Sequence, residues 1–145
     1  MATFTATLNF YESFKLDLCK DINLDTDTFK FGLTTSAYTP NSSAHSTLAD
    51  ITNELSGNGY AQQTVANISL TLGGGTVTWD FDDVVFTASG GSLVARYFFV
   101  YDDTVAGDPL VGWGLLNDVG VDVTITDGNT GTLIINGTTG FVQVS

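Results

Sequence analysis

The densest alternation of apolar and polar positions lies between Val77 and Leu116, and it predicts three consecutive strands. In the middle one, Leu93, Ala95, Tyr97, Phe99 and Tyr101 fall on one face, and Val94, Phe98 and Val100 on the other. A strand apolar on both faces is covered on both, so this segment reads as a central strand. Arg96 interrupts its second face. Upstream, Val77, Trp79 and Phe81 alternate with Thr78, Asp80 and Asp82. Downstream, Leu110 to Leu116 is an apolar run loosened by Gly112 and Gly114. Paired as a meander, the first and third of these strands flank the second.

The rest of the chain is read against that centre. Residues 1–8 alternate weakly and suit an edge strand or a loose N-terminal arm. Residues 9–20 fit two periods. Phe10, Phe14 and Leu18 share a helical face, whereas Phe14, Leu16 and Leu18 alternate as in a strand. Asn9 followed by Glu12 resembles a capping box, which favours a short helix. Asp25-Thr26-Asp27 reads as a turn, and Phe29 to Thr35 as a strand with Phe29, Phe31 and Leu33 on one face. Residues 36–47 form a polar loop with a turn signal at Tyr38-Thr39-Pro40-Asn41. Leu48, Ile51 and Leu55 predict one or two helical turns, ended by Gly57-Asn58-Gly59.

Ala61 to Leu72 is a strand candidate, closed by a hairpin-like break at Gly73-Gly74-Gly75. Ala88 to Gly91 and Asp102 to Pro109 are the turns of the central triplet. Val119, Val121, Val123 and Ile125 alternate with polar residues, as in a half-buried strand. Asp127-Gly128-Asn129 is a hairpin turn leading to a returning strand at 132–136. Residues 137–140 turn again, and 141–144 close the chain. About eight short strands at a spacing of about 8–12 residues predict an all-β, single-domain β-sandwich over residues 1–145, jelly-roll-like. One or two short helices are confined to the first 60 residues. The expected core includes Trp79, Phe81, Tyr97, Phe99 and Ile125.

Composition narrows the partners. The 145 residues are 43% hydrophobic and 14% charged, which suits a folded chain rather than a disordered one. Sixteen acids against four bases give a net charge of -12. That balance opposes binding to a nucleic-acid backbone, which needs Lys and Arg to displace counterions. It equally opposes an anionic membrane surface. Cys19 is the single cysteine, so no intramolecular disulfide forms and assembly in a reducing cytosol is expected. No basic, apolar signal pattern follows Met1, and no apolar run approaches the ~20 residues of a membrane span.

Candidate chemistry is sparse. His45, the one histidine, lies in a Ser/Thr/Asn loop, and nothing marks Ser43 or Ser46 as an activated nucleophile beside it. Asp50 is the nearest acid, and a solvated loop histidine is the reading preferred over catalysis. Cys19 reads as a small buried apolar group. Asp80, Asp82 and Asp83 on one strand, with Asp102, Asp103 and Asp108 in a turn, are solvated turn acids in the simplest reading. A structural cation or a glycosidase carboxylate pair are the sharper alternatives. No EF-hand spacing is present. Arg96, inside an apolar strand, is read as the partner of a buried aspartate, with Asp82, Asp83 or Asp102 as candidates. The glycine runs lack the lysine and the following helix of a phosphate loop. No catalytic, cofactor-binding or metal-binding residue is therefore assigned.

Two blocks resemble a family of small tailed-bacteriophage virion proteins. The first runs from Asp27 to Tyr60 and contains DTFKFGLTTSAYTPNSSAH and ITNELSGNGY. The second runs from Thr78 to Gly114 and contains WDFDDVVFTASGGSLVARYFFVYDD and PLVGWG. Together they cover roughly half the chain. The resemblance implies a non-enzymatic structural protein: a capsid decoration (cement) protein on the outside of the major capsid protein shell, commonly a homotrimer, made in the host cytoplasm. The alternative within the same family is a tail or fibre component contacting the host surface. The resemblance also implies Trp79 as core, Arg96-Tyr97 in the central strand and Asp102-Asp103 at its end. It carries no catalytic residue or cofactor, and it implies neither a nucleic acid nor a membrane as partner.

Overall fold

The structure, a computed structural model, describes residues 2–5, 8–135 and 142–144. In chain order its first strands are β1 (Ala2–Thr5) and β2 (Asn9–Phe10), followed by the helix α1 (Glu12–Leu18). Next come β3 (Phe29–Thr34), β4 (Gln63–Thr64), β5 (Ser69–Gly73), β6 (Thr76–Asp80) and β7 (Val84–Thr87). Then follow β8 (Leu93–Ala95), β9 (Tyr97–Asp102) and β10 (Leu110–Leu115), and finally β11 (Val123–Ile125), β12 (Thr130–Ile134) and β13 (Val142–Val144). Strand accounts for 41% of the residues and helix for 8%, so the all-β expectation holds.

β9 is the centre of a five-stranded sheet ordered β2-β10-β9-β3-β4. β3 and β10 flank it, both antiparallel. Phe98 and Val100 turn into the main core with Phe29, Phe31 and Leu33 of β3 and Val111 of β10. Phe99 and Tyr101 turn the other way, into a smaller cluster with Tyr11 and Leu110, against which Leu48, Ile51 and Trp113 pack. The two-sided burial predicted for this strand is therefore present. Across the main core, the Phe29 ring meets Trp79 edge-on at 4.8 Å, and Phe31 meets Phe81 at 5.7 Å. Trp79 also donates its indole N–H to the Leu24 carbonyl at 2.9 Å, which satisfies the polar end of a buried ring. Trp79, Phe81, Phe99 and Ile125 are buried as expected, while Tyr97 stays partly exposed.

The second layer comes from three smaller sheets. β13-β6-β5 and β1-β12-β7 have three strands each, and β11-β8 has two. β1 runs parallel to β12 at the edge of its sheet, and Phe4 enters the core, so residues 2–5 form a paired edge strand. The β5–β6 hairpin turns at Gly74 and Gly75, both with positive φ (58° and 83°), as a two-residue turn between twisted strands requires. The turn expected at 137–140 and the start of the closing strand at Phe141 lie outside the described residues.

Several expectations are corrected. The meander does not form: β6 pairs with β5 and β13, and β3 takes the place beside β9. The central apolar run is two strands. Leu93 and Ala95 lie in the main core with Phe98 and Val100, so the chain changes parity at Arg96. A one-residue offset moves every following side chain to the opposite face. The bend stays bonded, since the Arg96 N–H donates to Thr34 O and its carbonyl accepts from the Leu116 N–H, both at 2.9 Å. Asp127-Gly128-Asn129 is a turn but not a hairpin. It takes the chain from β11, which pairs with β8, to β12, which pairs with β7.

The half-buried strand expected from Val119 begins only at Val123. Asn117 Oδ1 accepts from the N–H groups of Val119 and Val121, both at 3.2 Å, and so loops the segment before it can pair. Val119 and Val121 are exposed as a result. Asn9 lies in β2, the helix starts after Tyr11, and that cap has no side-chain bond. The helix of 48–55 shrinks to one 3-10 turn at Leu48–Asp50, with a capping box between Thr47 and Asp50. Cys19 is exposed, because it caps the end of a two-turn helix instead of continuing a buried strand. The strand of 61–72 breaks between β4 and β5, where Asn67 takes a positive φ of 53°.

Gly32 of β3 lies directly opposite Phe99, and a Cβ there would run into the Phe99 ring. Gly32→Ala should therefore lower stability by about 1–3 kcal/mol through overpacking, and Phe99→Ala by about 3–5 kcal/mol through cavity formation. Chemical denaturation of the double variant should show a loss well below the sum, because removing the ring makes room for the methyl group.

Candidate functional site

The loop 36–47 and the N-terminus of α1 build the outer cover of the five-stranded sheet. Tyr11 and Tyr38, both buried, share a hydroxyl–hydroxyl hydrogen bond of 2.8 Å. Tyr38 Oη is also 2.9 Å from His45 Nδ1, and the two rings stack at 5.6 Å. Tyr97 meets Tyr38 and Trp113 edge-on, and Trp113 donates its indole N–H to Ser42 Oγ at 3.0 Å. Ser43 Oγ donates to Glu12 at 2.9 Å. Burial and the mutual hydrogen bond push the Tyr11 hydroxyl far above its ordinary pKa, and burial raises Tyr38 as well. Both phenols are therefore neutral, fixed hydrogen-bonding groups.

This cover answers the question posed by His45. The imidazole is not simply solvated, since it stacks on Tyr38 and bonds its hydroxyl. Ser43 serves Glu12. Asp50 accepts the N–H groups of Ser46 and Thr47 at 2.9 and 3.0 Å, and those bonds lower its pKa. Serine, histidine and aspartate are thus each engaged in holding the loop shut. The chain had no sequence signal for the Tyr11–Tyr38 contact, because the two rings are joined only by tertiary folding.

The acids form two groups with different partners. Asp82 accepts from Asn67 Nδ2 at 2.6 Å, and Asp83 accepts the Ile135 N–H at 2.7 Å. Asp80 ends β6 opposite Ser69. At the far end of β9, Asp103 pairs with Lys30 at 2.8 Å, and Asp108 sits in a turn with φ 51°. Among the described residues, no group of three or more His, Cys, Asp or Glu side chains is placed to hold a metal ion.

Asp102 is the exceptional acid. It is fully buried, and its Oδ1 accepts the N–H groups of Thr104 and Val105 at 2.7 and 3.1 Å. Its Oδ2 is buried with no N–H or hydroxyl donor. The Asp27 carboxyl lies near it, and a second acid disfavours its charged form. Burial, above all, pushes the Asp102 carboxyl up to about 6, and Asp27 adds to the shift. Asp27 accepts the Asn23 N–H at 2.6 Å, and Thr28 ties this turn to the end of β9, its carbonyl accepting the Asp103 N–H and its N–H donating to Thr104 Oγ1, both at 2.8 Å. The sequence showed Asp27 only as a turn residue.

Arg96 finds a partner that the sequence did not indicate. It meets Asp122 at 2.8 Å, not Asp82, Asp83 or Asp102. The bend at Arg96 turns its side chain out of the core and towards the 117–122 loop. Both side chains remain about a third exposed, 30% and 40%. No helix among the described residues is long and apolar enough to cross a membrane. Compared with known proteins, the chain matches no family model, and neither the curated proteins nor the solved structures provide a match.

Two expected outcomes follow from these acids. Arg96→Met should cost about 1 kcal/mol or less, because a half-exposed pair is solvated and screened. A double-mutant cycle with Asp122→Asn should give a coupling of about 0.2–1 kcal/mol, and cycles with Asp82, Asp83 or Asp102 none. For Asp102 the folded pKa lies above the unfolded one. Its contribution is therefore complete below about pH 4 and is lost as pH rises through about 6. Relative to Asp102→Asn, the wild type should lose up to about 3 kcal/mol between pH 4 and pH 7 in urea titrations.

Proposed function

We propose that the protein is a non-enzymatic bacteriophage virion structural protein, a capsid decoration protein that binds the outside of the major capsid protein shell as a homotrimer. The observation that carries this reading is the place of the residues behind the phage-protein resemblance. They serve the scaffold. Trp79 fills the core and bonds Leu24, Tyr38 locks the 36–47 loop, and Asp102 holds the turn that follows β9. The hydroxyls, imidazole and acids that a hydrolase would gather in one place are spent on separate backbone and side-chain partners.

The charge supports the same placement. A chain of net charge -12 is suited to the outer face of a shell, away from packaged nucleic acid. On this reading synthesis takes place in the host cytoplasm, and no cofactor is needed. A tail or fibre component remains the second reading, because the resemblance covers both groups. Cryo-electron microscopy of the virion separates them. The expected result is density for this chain at many positions over the capsid. Density confined to the tail would replace the decoration reading with the tail reading.

A further inference from the structure

Charge is not spread evenly along the chain. Residues 1–11, 55–79 and 128–145 contain no Asp, Glu, Lys or Arg. These stretches are far apart in sequence, yet the fold brings them together. β1 pairs with β12, and β13-β6-β5 forms one sheet. With β7 completing the first of these sheets, their six strands contain a single charged residue, Asp80 at the end of β6.

Within that region β5 is an open edge. Among the described residues it pairs with β6 alone, and all five of its residues, SLTLG, are exposed. It holds neither a charge nor a proline, the usual devices that keep an edge strand from pairing. Leu70 lies opposite Trp79 and Leu72 opposite Val77, so both leucines point to the face that Trp79 turns into the core. The core ends before it reaches them. Leu70 is 39% exposed and Leu72 is 75% exposed. Among the other exposed apolar residues, Val119 and Val121, the most exposed valines of the described residues, sit between Asp118 and Asp122 and lack this neutral setting.

We infer that the β5 edge, with Leu70 and Leu72, is the contact between copies of this chain. Charge selects the occupant. Two copies at -12 each repel wherever their acids approach, and the neutral strands offer an approach without that cost. A basic partner would gain more from the acidic loops elsewhere than from this edge, whose paired strand carries Asp80 alone, opposite Ser69 at one end. The inference rests on the homotrimer reading for the number of copies. A closed ring of three is heterologous, so β5 of one copy meets a different surface of the next, and β1, the uncharged edge of its own sheet, provides one. Main-chain pairing supplies the register, and the two leucines supply apolar burial.

The test uses the full chain in solution, by light scattering after size exclusion over a concentration series. The expected mass is three times 15.3 kDa. Leu72→Asp should weaken association by about ten-fold or more, whereas Val119→Asp, at a more exposed valine, should leave it unchanged. Hydrogen exchange on the wild type provides a readout independent of any variant. The outward-facing amides of 69–73, those not bonded to β6, should be protected in the oligomer and become fast on dilution. A wild type that remains monomeric at about 1 mM chain, a limit near 4 kcal/mol of association, overturns the inference. So does an oligomer whose outward-facing 69–73 amides exchange freely. Location on the virion is read separately, so a tail position would remove the decoration reading without touching this contact.

Discussion

The structure depends on covering β9 twice. Five consecutive residues, Phe98 to Asp102, are buried, and their side chains leave the sheet in opposite directions. One face is met by the second layer of sheets through Trp79 and Phe81. Among the described residues no sheet meets the other face, and a loop covers it instead. That is why 36–47 is so heavily bonded. A loop over an apolar face must bring its own hydrogen-bond partners, because its backbone is not in a ladder. Tyr11, Tyr38, Trp113 and Ser42 supply apolar cover and polar satisfaction together.

The same demand explains the glycines and the bend. Phe99 needs space beneath its ring, and Gly32 across the strand pair provides it. Upstream, β8 must keep Leu93 and Ala95 in the main core while β9 begins a new phase. The change of parity at Arg96 allows both. It also puts a charged residue where the chain leaves the core, so a guanidinium that looked buried in sequence reaches Asp122 at the surface.

Period-2 alternation made the strands legible, and it is a local property. β3 and β10 were read within about a residue, the runs from Val77 and from Leu93 each proved to be two strands, β6 with β7 and β8 with β9, and four of the five expected core residues are buried. Pairing is not local. Nothing between Val77 and Leu116 shows that β3, more than 60 residues before β9, displaces β6 from its side. The failures at Asn117–Val121 and at Asn9 have a chemical cause. In each, a side chain or a short bridge found a backbone partner that competed with the regular element. The candidate groups were harder still. Asp102 carried the mark of a strand-end acid, but its neighbour Asp27 is visible only after folding.

Acidity itself has a structural explanation that bears on function. With four bases against sixteen acids, ion pairing cannot satisfy the carboxylates, and among the described residues Lys30 and Arg96 form the salt bridges. The acids turn to the backbone instead. Asp27, Asp50, Asp83, Asp102 and Asp127 each accept at least one main-chain N–H, and each of those bonds closes a turn or joins two segments. A fold with few helices and many corners leaves many N–H groups outside its ladders, and a short carboxylate is a strong acceptor for them. The acids therefore gather at corners and loops, and the six strands of the two three-stranded sheets hold Asp80 as their single charge. A carboxylate cluster in such a chain is weak grounds for catalysis, because N–H groups at corners recruit carboxylates for structural reasons alone.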